Sequence, residues 1–295
     1  MPTRFVTAAF TVVALALPAL AEEIVLKPRF EPGDSYQLSL RATTSTETSL
    51  SSGAEKAFHE NVQLEYKTTV EVLEVDAAGQ SVRERHHDVE LTFMRPEESG
   101  SLFRKAIYQV RRSNGEIRIF VRGERVEPRV EKLIAGILGS QFEYTLGPAL
   151  FDPGRPVEVG ESWELDPSLT RRFLREQGLR GVELAEPATA TLKLEGDGRT
   201  RERVIHFSIP IDRFELSELP ENARTAGSRA RYAGEIRLSR DPAGSPVTFS
   251  SNLDMSLQGV VPAPRVASSV PWSFQRSQIS DQQTRRVEST LVSGL

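Results

Sequence analysis

Two blocks of period-two alternation flank one stretch of helical period, and this order limits the folds open to the chain. In the first block Leu64, Tyr66, Thr68, Val70 and Val72 share one face, opposite Glu65, Lys67, Thr69 and Glu71. Side chains in a strand alternate between faces, so the pattern predicts a half-buried strand. It ends at the turn residues Asp76 to Gly79, and a second strand follows through Phe93. Phe103–Val110 and Ile117–Val121 then flank Ser113-Asn-Gly-Glu116, whose Asn-Gly pair predicts a tight hairpin. After residue 180 the alternation returns. Ala188 to Leu194, Ile205 to Ile211, Ala230 to Leu238 and Val247 to Leu257 each carry one apolar face. The end of the chain is ambiguous: Trp272 and Phe274 suggest strand, whereas Ser280 to Val292 fits a polar helix.

Between the blocks Val126, Val130, Leu133, Ile134, Ile137, Leu138 and Phe142 recur at three- and four-residue steps. They form one apolar stripe of a helix that starts near Pro128 and stops before Gly147-Pro148. Gly136 and Gly139 each cost this helix about 1 kcal/mol relative to Ala, which predicts close packing on a sheet. A second helix is expected after Asp166, which can cap it, with Pro167 in its first turn and Gly178 at its end.

Meander, helices, meander predicts an α+β fold, mostly antiparallel β. Two β-meanders would form a curved sheet or half-barrel with one or two helices on one face. The expected division is a signal peptide at 1–21 followed by a single β-rich domain at 22–295. That domain falls into halves at 22–125 and 180–295, joined by a helical segment at 126–179.

The leader reading rests on Arg4, an apolar run from Phe5 to Leu17, the break at Pro18 and small residues at Ala19 and Ala21. The run is shorter than the roughly 20 residues a spanning helix needs. No other apolar run approaches that length, so a protein that does not span the membrane is expected. Cysteine is absent, which removes disulfides, thiolate metal sites and a lipidated N-terminus. An exported chain without cysteine, richer in Arg than in Lys, fits a periplasmic or secreted protein of a Gram-negative bacterium. The net charge of −4 argues against nucleic acid as a partner.

Chemistry-bearing motifs are few. Gly33-Asp34-Ser35 matches the start of a lipase block, but no Asp-x-x-His follows late in the chain, and the residues read as a turn. His86 and Asp88 fall on one face of a strand, with Glu90 beyond them. With a third ligand from His59 or Glu60 they could hold a metal. The alternation of Val89, Leu91 and Phe93 instead makes theirs the solvated face. The pairs Arg111-Arg112, Arg171-Arg172 and Arg285-Arg286 read as charged surface. No catalytic, cofactor or metal residue is assigned, and an enzyme is not expected; a carboxylate-based hydrolase ranks last.

Phe30-Glu-Pro-Gly-Asp-Ser-Tyr36 and Pro156-Val-Glu-Val-Gly-Glu-Ser-Trp163 resemble segments of an uncharacterised family of exported bacterial β-rich proteins, in which Pro-Gly-Asp-x-Tyr and Val-Gly-x-x-Trp recur. Gly33 and Gly160 would permit tight turns, and Tyr36 and Trp163 would anchor strands in the core. The layout is also similar to that of periplasmic lipoprotein carriers, whose half-barrel holds acyl chains under a helical lid. That resemblance implies an apolar small molecule or lipid as ligand, with Leu133, Ile134, Ile137, Leu138 and Phe142 covering it. An envelope protein bound through sheet edges or Arg-rich loops is the alternative partner.

Overall fold

A computed structural model describes residues 21, 24–27, 29–52, 54–96, 98–113, 116–197, 201–216, 224–238, 248–262 and 269–286. The expected leader, apart from Ala21, and the Asn114-Gly115 turn lie outside them. The first meander comprises β1 (Ser35–Ser52), β2 (Ala54–Val75), β3 (Ser81–Arg95), β4 (Glu98–Ser113), β5 (Glu116–Val121) and β6 (Glu124–Arg125). The middle holds α1 (Pro128–Gly139), a 3-10 turn (Phe142–Tyr144), α2 (Gly147–Phe151), β7 (Ser162–Glu164) and α3 (Pro167–Glu176). The second meander comprises β8 (Leu179–Leu184), β9 (Thr189–Glu195), β10 (Glu202–Leu216), β11 (Arg224–Arg237), β12 (Thr248–Pro262) and β13 (Ser269–Arg286).

All thirteen strands belong to one antiparallel sheet, curved but not closed into a barrel, in the order β6-β5-β4-β3-β2-β1-β13-β12-β11-β10-β9-β7, with β8 on β10. Local turns make most of the pairs. Asp76 Oδ1 accepts from the amides of Ala78 and Gln80, both at 2.9 Å, and Gly79 takes φ +77° to complete the β2–β3 turn. The pair most distant in sequence is β1 with β13, which run side by side without a register break from Tyr36–Arg286 to Leu50–Trp272. This seam joins the two meanders. It also corrects the polar-helix reading of Ser280 onward, because Ser280 to Arg286 are strand. Their polarity has a structural reason. Gln282 and Ser280 share the face of Leu40 and Ala42, and Gln282 supplies hydrogen bonds to the segment that crosses above.

The outer edges are β6, two residues long, and β7, three residues long. These two strands are too short to offer much free backbone of their own for unwanted pairing. Because β6 and β7 lie at opposite edges, the chain between them has to cross the face of the sheet. The helices do this crossing. Pro128 opens α1, and the Asp166 carboxylate caps α3 by accepting from the Leu169 amide at 2.7 Å. The expected single stripe through Phe142 is cut short: α1 ends at Gly139, and Phe142 belongs to the separate 3-10 turn.

The inner face carries two apolar cores. Tyr36, Leu38, Tyr66, Val70 and Leu91 pack beneath Ile134 and Leu138 of α1. Ile205, Phe207, Tyr232, Ile236 and Phe249 pack against Phe142, Phe151 of α2 and Phe173 of α3. In the second core Phe207 stacks on Tyr232 and Phe249 at centroid separations of 5.5 and 6.1 Å. The ring lies over Gly234, where a Cβ would sit 2.1 Å from the Ser250 carbonyl oxygen and 2.8 Å from Phe207 Cζ.

The helix glycines behave differently. A Cβ at Gly139 would meet only Ile117 Cδ1 at 3.7 Å, and one at Gly136 would meet nothing within 4 Å. Neither is needed for close packing, contrary to the reading from sequence. Gly234→Ala is therefore expected to destabilise the fold by about 3 kcal/mol or more through overpacking. Gly136→Ala should stabilise it by about 1 kcal/mol through helix propensity. Urea denaturation of the two variants checks both signs.

Candidate ligand-binding groove

The space above Gly136 is part of a groove of about 570 Å3 between α1 and the first half of the sheet. One stripe of α1 forms its wall: Arg129, Lys132, Leu133, Gly136, Ile137 and Ser140, at steps of three and four. Such spacing places residues one above another along a helix. The floor is Leu40 and Ala42 of β1 with their register partners Tyr66 and Leu64 of β2, and Ser280 of β13 beside Ala42.

The five residues expected to cover a ligand divide between three environments. Leu133 lines the groove and is 38% exposed. Ile137 lines it while largely buried. Ile134 and Leu138 turn inward and complete the first core. Phe142 stacks on Phe249 at 4.7 Å in the second core, because the chain leaves the α1 helix before reaching it.

Charge is unevenly placed. Arg41 and Asp281 also border the groove, but they sit on the opposite face of their strands from Leu40, Ala42 and Ser280. Arg41 donates to Glu65 at 2.9 Å, and Asp281 accepts from the Ser250 hydroxyl at 2.6 Å. Glu131 turns to the Arg125 side, forming an ion pair at 2.7 Å and accepting from the Ile119 amide. Arg129 and Lys132 are exposed and have no ion pair among the described residues.

Beside the floor, on the same face of the sheet, lies a buried polar network that sequence reasoning missed. The Tyr66 hydroxyl meets His86 Nδ1 at 2.9 Å, and His86 Nε2 meets Glu84 Oε2 at 2.9 Å. Glu84 also accepts from the hydroxyls of Tyr36 (3.3 Å) and Tyr144 (3.0 Å) and from Arg112 (3.4 Å). Arg112 continues to Gln141 at 2.7 Å and stacks over the Tyr144 ring. Gln282 accepts from the Phe142 amide at 2.8 Å and donates to Glu143 at 2.7 Å. Burial alone would raise the Glu84 carboxyl, but the Arg112 charge, His86 and the Tyr144 hydroxyl outweigh it and hold the group down to about 2. Burial pushes the Glu143 carboxyl up, against the hydrogen bond from Gln282. With Glu84 1% exposed and His86 fully buried, these groups tie the crossing segment to the sheet rather than face a substrate.

The position of His86 departs from the reading of a solvated face. A bulge at His87–Asp88, with Asp88 at φ +51°, shifts the alternation, so that Glu84, His86, Val89 and Leu91 all point inward. Asp88 and Glu90 are exposed, and His59 is exposed beside Glu47. His86 and Asp88 therefore do not converge. Arg112 likewise leaves the surface, whereas Arg171 and Arg172 stay on it. The side chains of Arg285 and Arg286 lie outside the described residues, as do those of Phe103 and Trp272. A bulge gives no signal in the alternation, but a Glu and a His two residues apart on a strand with one apolar face were the available hint.

Among the described residues one other group has metal-ligand geometry, Glu195, His206 and Glu235. Arg237 already sits there, donating to Glu195 at 3.1 Å and Glu235 at 2.9 Å. The Gly33-Asp34-Ser35 segment is a turn: Asp34 Oδ2 accepts from the Glu31 amide, and Gly33 takes φ +95°. Tyr36 anchors the core there, stacked on Phe30 at 5.4 Å, and Gly160 and Trp163 play the corresponding parts before β9.

No protein-family model matches the chain, and no curated protein matches it. Among solved structures it is similar to lipovitellin, from a structure described as showing lipid–protein interactions. The match covers 89% of this chain at 14% identity and a TM-score of 0.33. The chain spans only 26% of the length of that lipovitellin chain. An outer membrane channel from Pseudomonas putida F1 matches over 87% of this chain and 97% of its own, at 8% identity and a TM-score of 0.20. The InvG secretin domain β-barrel of the Salmonella SPI-1 injectisome matches over 89% and 65%, at 9% identity and a TM-score of 0.14. At these values none of the three assigns a site to this chain, and the patches at 30–36 and 156–163 have no counterpart in a matching family.

Ionised Glu84 stabilises the fold above the ordinary carboxylate range, and this contribution is lost as the pH falls from about 4.5 to about 2. Glu143, shifted the other way, contributes below that range and loses its contribution as the pH rises above it through the raised value of the folded state. Glu84→Gln leaves Arg112 buried without its partner and should cost about 3–5 kcal/mol at neutral pH, more than Glu143→Gln does. It should also flatten the acid limb of the stability curve. Urea unfolding between pH 3 and pH 7 (roughly the carboxylate range and above) reads both; an unchanged acid slope would contradict the assignment.

Proposed function

We propose that the chain is an exported, non-catalytic binding protein of the cell envelope that holds an apolar chain in the groove between α1 and β1–β2. The observation that carries this is the groove itself. Its volume of about 570 Å3 lies within the roughly 300–1,000 Å3 of small-molecule sites. Leu40, Leu64, Leu133 and Ile137 line it with apolar surface, and the space over Gly136 is open. Each methylene removed from water contributes about 0.8 kcal/mol. Ten of them give roughly 8 kcal/mol, the scale of micromolar binding, before the cost of ordering the chain. The envelope setting rests on the leader-like start of the sequence. No helix among the described residues is long and apolar enough to cross a membrane.

Gly136→Leu tests this reading, because a Cβ there meets no protein atom within 4 Å and the longer side chain would take up groove space. Native mass spectrometry of the full chain purified from envelope extract should show a bound apolar adduct on the wild type and none on Gly136→Leu, with both variants equally folded. An identical ligand-free spectrum for both would contradict the proposal.

A second reading, strand addition by another envelope protein, has one observation in its favour. Only Gln109–Ser113 of β4 pair with β5, so the outer backbone edge of residues 102–107 has no partner strand among the described residues. Such a partner would slow hydrogen exchange in 102–107 when envelope extract is added; unchanged exchange counts against it.

A further inference from the structure

We infer that the occupant of the groove is an anionic single-chain amphiphile, its charged head held by Arg129 and Lys132 at one end of the α1 stripe. This rests on the groove reading and adds a ligand class to it. The stripe is polarised along the helix. Arg129 and Lys132 fall in its first turns, and Leu133, Gly136 and Ile137 continue it towards the C-terminus. A ligand lying along α1 meets two cations first and apolar surface after.

Four features favour an anion over a neutral head. Neither Arg129 nor Lys132 is neutralised by an ion pair among the described residues. The nearest carboxylate in sequence, Glu131, is held on the far side by Arg125 and the Ile119 amide. Asp281, the acidic residue at the border, belongs to the other face of β13 and is engaged by Ser250. The N-terminal end of α1 adds its own partial positive charge on the same side. A cationic head at Arg129 and Lys132 would meet two like charges, and a neutral head would leave both cations without a partner. The chemistry selected is a carboxylate or phosphate on one alkyl chain, whether a free fatty acid or a lysophospholipid.

The test uses the full chain with the neutral probe N-phenyl-1-naphthylamine in the groove. Displacement is followed with hexadecanoate, palmitoyl lysophosphatidylglycerol and hexadecanol, each below its micellar concentration. At least one anion should displace the probe at roughly tenfold lower concentration than hexadecanol, about the effect of two partly screened charges. Which anion does so separates the free acid from the lipid. The double variant Arg129→Gln/Lys132→Gln should remove this preference and leave hexadecanol unchanged. Both side chains are exposed, so its melting temperature should match the wild type. Raising the salt concentration should narrow the preference in the unmodified chain, a readout that needs no variant. Equal displacement by anions and hexadecanol would overturn the anion assignment while leaving the groove reading intact. Failure of the probe to bind, or binding unaffected by Gly136→Leu, would overturn the groove reading itself.

Discussion

The pairing of β1 with β13 is the interaction on which the rest of the structure depends. Without it the chain is two separate meanders, each with a long open strand. With it, the two ends of the described sequence lie side by side in the middle of one sheet. Loop closure over so long a chain costs entropy that only the completed seam and its neighbours can offset. The outermost strands are thereby two that follow one another in the chain, β6 and β7, with residues 126–161 between them. The chain between them is forced across the inner face, and the helices, the cores and the groove all follow from that crossing.

The crossing segment is fixed at its midpoint by directed polar chemistry as well as by the apolar packing of Phe142. Gln282, on the central strand β13, takes the Phe142 amide and the Glu143 carboxylate, and Arg112 and Glu84 draw in Gln141 and Tyr144 from the same turn. Buried charge of this kind contributes little net stability compared with packed hydrocarbon, but breaking it leaves an uncompensated group. Its directionality places α1 over one half of the sheet and α2 and α3 over the other. α1 presents Ile134 and Leu138 to the sheet. The next stripe around the helix then faces sideways over Leu40 and Leu64, with Gly136 leaving room. The groove is thus a by-product of how α1 is held.

Much of this was legible in the sequence. The alternation from Leu64 to Val72, the turn at Asp76–Gly79, the Asp166 cap and the start of α1 at Pro128 are local signals with local causes, and the α+β class follows from their order. The rest depended on long-range or invisible features. Ser280 to Gln282 carry polar side chains inward because a crossing segment needs hydrogen bonds there, which reverses the usual meaning of polarity in a strand. The bulge at Asp88 shifts the inward set by one residue, so alternation read back from Leu91 put His86 on the wrong face. Half of the site was readable, in Leu133 and Ile137 on one helical stripe. The sheet floor was not, because Leu40 and Ala42 join it only through pairing that no local pattern encodes. Phe142 fits the helical period, yet the helix ends three residues before it, so the residue serves the other core.

A binding groove built this way makes a sharp distinction between neighbouring residues of α1. The most direct measurement is an NMR experiment on the full chain with hexadecanoate, reading contacts between the alkyl protons of the ligand and protein methyl groups. The groove requires contacts to Leu40, Leu64, Leu133 and Ile137, and none to Ile134 or Leu138, which face the core. Contacts with Ile134 and Leu138, or with the core around Phe249 in place of the groove residues, would contradict it.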